Sequence, residues 1–76
     1  MARTEQLRGS ASLIPVIAAL RQLSGWQPTA AVAALSGLSL YTTLQMLHEA
    51  EGTGQAEVRI AIASPTYYEW RAKGEA

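Results

Sequence analysis

The tetrapeptide Ser36-Gly37-Leu38-Ser39 constrains this chain more than any other feature. Apolar segments with helical spacing lie on both sides of it. Gly37 supplies the permissive backbone that a turn between helices requires, and the Ser39 hydroxyl can cap the next helix. The chain therefore contains two helices joined by a tight turn, the second running from Ser39 to about Glu51. In that second helix Thr43, Met46, Leu47 and Ala50 fall on one arc at 100° per residue, with Leu40 and Leu44 on its edges. That arc is the expected core face. The opposite arc carries Tyr41, Thr42, Gln45, His48 and Glu49, and no Arg or Lys.

Upstream, Leu13, Val16, Ile17, Leu20 and Leu23 form a helical stripe, widened by Ile14 and Ala18. Ser10 or Ser12 can cap this first helix, which puts Pro15 in its opening turns. Ser24-Gly25 ends it. Residues 1–11 are polar and broken by Gly9-Ser10, and are read as a flexible arm. Trp26-Gln27-Pro28 is extended, because proline biases the residue before it away from helix. Thr29 is the expected cap of the short helix that ends at Gly37. Downstream of Gly52-Thr53-Gly54, residues 56–63 alternate. Val58, Ile60 and Ile62 face one way, and Glu57, Arg59 and Ala61 the other, as in a half-buried strand. Ser64-Pro65 turns the chain, and 66–71 (Tyr67, Tyr68, Trp70) returns as the second strand. Residues 72–76 read as a polar tail. A lone hairpin is marginal in water, so this one must pack on the helices, and Trp26 and its neighbours can add a third short strand.

This order, with Trp26-Gln27-Pro28-Thr29 leading into Ala33, Gly37 and Ser39, resembles the winged helix-turn-helix family of small bacterial and phage regulators. The resemblance covers residues 12–71. It implies an α+β fold of three helices with a C-terminal two-stranded β-hairpin wing. Ala33 matches the small residue that lets the two helices cross closely. It implies a transcriptional regulator that binds double-stranded DNA with the 39–51 helix in the major groove. Ser39, Tyr41, Thr42, Gln45 and His48 would be the contact residues on that helix, and Arg59, Arg71 and Lys73 the phosphate contacts on the wing.

Composition bears on these alternatives. Six Lys and Arg balance six Glu in 76 residues, so the chain lacks the basic excess that supplies most affinity for phosphates. A second class therefore stands beside the DNA regulator: a winged helix that binds a host protein or a second copy of itself. Ile14, Ala18, Leu40 and Leu44, where uncovered, would form an apolar patch for it. No catalytic residues are assigned: the chain has one His, no Asp and no Cys, and Glu49 and Glu51 do not share a helical face. With His48 alone, no metal or cofactor site is expected either. A chain without cysteine fits a reducing, cytoplasmic setting. The apolar run 13–20, closed by Arg21-Gln22, is too short to span a membrane and does not read as a signal peptide.

Overall fold

A computed structural model describes the backbone of residues 2–62 and 67–74, and the side chains from Leu13 onward within those ranges. Three helices, α1 (Ala2–Leu23), α2 (Thr29–Ser36) and α3 (Leu40–Gly52), are joined by three strands, β1 (Gln27–Pro28), β2 (Ala56–Ile62) and β3 (Tyr67–Ala72). The strands form one antiparallel sheet in the order β1-β3-β2. The fold is α+β and compatible with a winged helix, with Trp26's neighbours supplying the third strand. The Ser64-Pro65 turn lies outside the described residues.

Each local signal has an identifiable outcome. Gly37 caps α2 in the left-handed conformation (φ 76°), and its N–H donates to the Ala33 carbonyl at 2.9 Å. Ser39 caps α3, its hydroxyl accepting from the Thr42 N–H at 3.1 Å. Both sites satisfy backbone groups that a helix end leaves without partners. At the end of α1, Ser24 as well as Gly25 is left-handed (φ 64° and 77°).

Four expectations need correction. First, α1 takes in residues 2–11, which the sequence assigns to an arm. Their Ala, Glu, Gln, Leu and Arg are good helix formers, and one glycine costs a helix only about 1 kcal/mol. Pro15 consequently lies inside the helix rather than near its start. Second, Thr29 is the first residue of α2, and Pro28 is its cap without a side-chain bond. The Thr29 hydroxyl is used elsewhere: it accepts from the Trp70 indole N–H at 2.8 Å. Third, the register slips between Ile60 and Ile62, so Ile62 pairs with Tyr67 and leaves the alternation of Val58 and Ile60. An extra residue in one strand has this effect wherever it occurs. Fourth, Ala72 belongs to β3 and the core. It pairs with Ala56, and both are buried.

The core gathers Leu13, Val16 and Leu20 of α1, Val32 of α2, Leu47 of α3 and Trp70 of β3. Thr43, Leu47 and Ala50 of the predicted core arc are buried, and Met46 packs partly against them. Thr43 is fully enclosed, and its Oγ1 has no hydrogen-bond partner. An unpaired buried hydroxyl costs about 1–3 kcal/mol. Thr43→Val keeps the β-branch and removes that cost. It is expected to raise stability by about 1 kcal/mol, read as a higher urea midpoint at unchanged slope.

A candidate interaction surface on α3 and the wing

Alternation along β3 sorts the sheet into two faces. Trp70 and Ala72 point into the core, so Glu69 and Arg71 point away from the helices. Their register partners on β2 are Arg59 and Glu57. The result is a charge lattice on the outer face. Arg59 Nη2 lies 2.7 Å from Glu69 Oε1, and Arg71 Nη2 lies 2.6 Å from Glu57 Oε1. Lys73 Nζ approaches Glu57 at 4.0 Å. Both guanidinium carbons also sit 4.5 Å from the centre of the Trp26 ring. Pairs this exposed contribute only about 0.2–1 kcal/mol each. Their significance is positional, because they hold Arg59 and Arg71 beside glutamates on the face of the sheet away from the helices, while Lys73 lies beyond β3, near Glu57 and the C-terminal end of α3.

The other surface is formed by α3 and the helix-facing side of the wing. Tyr41 is 70% exposed, and its hydroxyl accepts from Gln45 Nε2 at 3.0 Å, one turn along. His48 continues that stripe at the next turn. Its ring meets Trp70 edge-on at 5.0 Å and Tyr68 at 5.6 Å between centroids. Tyr68 in turn pairs across the hairpin with Ile60, which is 60% exposed. The stripe Tyr41, Gln45, His48, Tyr68 and Ile60 thus crosses from helix to wing without a formal charge, His48 taken as neutral. Leu40 is exposed at the start of α3, and Glu49 flanks the stripe.

The predicted contact residues therefore divide into two groups. Tyr41, Gln45 and His48 stand together on the α3 surface. Thr42 is half-buried beside them, and the Ser39 hydroxyl is engaged in capping. Arg59 and Arg71 lie on the opposite side of the sheet, each paired to a glutamate, and Lys73 lies beyond β3, near Glu57 and Glu51. Helical periodicity places His48 outward but does not reveal its contacts with the wing. The role of Trp26 was also missed. The signal for the lattice was present, in Glu57-x-Arg59 and Glu69-x-Arg71, but it needed the hairpin register to be read.

A third feature lies on α1. Ile14 is 63% exposed, and with Ile17, Ala18, Arg21 and Gln55 it lines an open groove of about 250 Å³. Leu40 and Ile14 are thus uncovered, as an interaction patch requires, whereas Leu44 packs partly against the core. Among the described residues, no cluster of three or more His, Cys, Asp or Glu could hold a metal ion. No single helix among them is long and apolar enough to cross a membrane. No family model, curated protein or solved structure matches the chain.

Proposed function

We propose that this chain is a winged-helix protein-interaction module whose contact surface is the uncharged stripe from Tyr41 to Ile60. The observation that carries the reading is the position of the wing cations. Arg59 and Arg71 pair with glutamates on the far side of the sheet, Lys73 neighbours Glu57, and α3 has no cation of its own. A DNA reader draws most of its affinity from phosphate neutralisation, and α3 itself carries no Lys or Arg for it. Exposed tyrosine and isoleucine beside a polar rim suit a protein partner instead, and tyrosine is prominent among residues that anchor such contacts. Binding rather than catalysis, in a reducing cytoplasm, is part of this reading.

One observation favours a second reading, a DNA-binding regulator. Tyr41 and Gln45 stand uncovered on α3, just after the Ser39 cap, where a helix-turn-helix reader would present base contacts. Fluorescence anisotropy with random-sequence duplex DNA in low salt separates the two. The interaction reading expects no saturable binding at micromolar protein. Binding that weakens steeply as salt rises would overturn it in favour of DNA. In a pull-down from host lysate, Tyr41→Glu and Ile60→Glu are expected to lose the partner, while Arg71→Gln keeps it. Retention by both glutamate variants would place the contact away from this surface.

A further inference from the structure

β3 is the central strand, so β2 has a neighbour on one side only. Its other edge meets no strand among the described residues. Such an edge presents a row of backbone donors and acceptors that can template a further strand. The devices that usually block such pairing are weak here. β2 contains no proline and no lysine, and its irregularity falls at the far end, between Ile60 and Ile62. From Ala56 to Ile60 the strand is regular.

The side chains specify what can pair there. On β3, Glu69-Trp70-Arg71 pairs antiparallel with Glu57-Val58-Arg59, so that Glu meets Arg, the apolar residues meet each other, and Arg meets Glu. β2 carries the same Glu-apolar-Arg pattern as its partner. An antiparallel arrangement inverts order, so this pattern is complementary to itself. A second β2 placed on the free edge, with the two-fold axis at Val58, would set Glu57 opposite Arg59 twice. Val58 would meet Val58, and each exposed Ile60 would lie across from Ala56 of the other copy.

We propose that two copies of this chain associate through their β2 edges, forming a continuous six-stranded antiparallel sheet. The ion pairs already present would extend across the junction. Along each ladder the order becomes Arg71, Glu57, Arg59 of the second copy and Glu69 of the second copy, with charges alternating throughout. Opposite charges facing across strands stabilise a sheet, and like charges in the same places oppose it. This self-complementary contact is of the isologous kind that closes at two subunits. It shares only Ile60 with the Tyr41 stripe, is carried by the backbone edge and the Glu57 and Arg59 charges, and does not rest on the function proposed above.

Sedimentation equilibrium of the full chain over 1–500 µM tests it. A reversible monomer–dimer equilibrium is expected. Arg59→Glu places glutamates at 57 and 59 opposite one another and should weaken the dimer at least about tenfold. Because that change also breaks the pair with Glu69, a second variant guards against a folding defect. The quadruple change Glu57→Arg, Arg59→Glu, Glu69→Arg and Arg71→Glu inverts the lattice and restores both β2–β3 pairs within a chain and both junction pairs between like chains, and loses only the long, exposed contact of Lys73 with residue 57. It should dimerise with itself and fail to mix with the original chain. A monomer at all concentrations overturns the proposal, as does free mixing of the two. Loss of the dimer on Ile14→Glu, with Arg59→Glu unaffected, would overturn it in favour of the α1 groove.

Discussion

Replacement of Trp70 by alanine is expected to abolish the folded state at room temperature. Trp70 is the largest fully buried side chain and stands on the central strand. Its ring packs within the core and meets His48 and Tyr68, while its N–H is bonded to Thr29 on α2. Removing a buried tryptophan costs about 3–5 kcal/mol through lost transfer energy and the cavity left behind. The lost hydrogen bond adds about 1 kcal/mol. A chain of this size has a total stability of about 4–11 kcal/mol at the usual 0.05–0.15 kcal/mol per residue. The lower part of that range would be exhausted. Circular dichroism should therefore show no cooperative thermal transition for Trp70→Ala. Trp70→Phe keeps an aromatic ring, loses the N–H and some volume, and should still fold cooperatively, with a stability lowered by about 1–3 kcal/mol. If Trp70→Ala melts like the original chain, the indole is not the centre of the core.

The second large effect is expected at the C-terminal end of β3. Ala72 is fully buried opposite Ala56, and the next residue donates its N–H to the Gln55 carbonyl at 3.0 Å. Ala72→Asp would bring a carboxylate into an apolar site with no cation inside the core to receive it. A loss of about 3 kcal/mol or more is expected at neutral pH, measured by urea unfolding. Lys73→Asp, one residue on and exposed, should change stability by less than about 1 kcal/mol. Equal effects from the two would show that β3 ends before Ala72, as a polar tail beginning at residue 72 would require.

These two sites also show how far local reasoning reaches. The turn at Gly37, the cap at Ser39 and the core arc of α3 were legible because each depends on residues within a few positions of itself. A glycine that must be left-handed, a hydroxyl beside N–H groups without partners and a 3.6-residue period all act locally. The errors arise where the deciding partner is distant. Thr29 has the chemistry of a cap, and only the arrival of Trp70, 41 residues later, shows that its hydroxyl has another use. Ala72 looks like the start of a tail until Ala56 is set against it. The ion pairs required a register, and the register included a slip at Ile60 and Ile62 that alternation alone does not foresee. The candidate surface was half-legible for the same reason. Tyr41 and Gln45 are neighbours on one helix, whereas the aromatic partners of His48 come from the wing.

The position of β3 in the sheet has a consequence for how the molecule forms. The strand that joins β1 to β2 is the last element described along the chain. During synthesis, helices α1 to α3 and strand β2 leave the ribosome before anything can tie residues 27–28 to the sheet. Closing such a long loop costs entropy that only the contacts of β3 repay. A nascent chain halted before Tyr67 would therefore hold its helices over an incomplete core, open to proteases. The protection of the whole domain should appear in one step, once Trp70 has emerged and found Thr29.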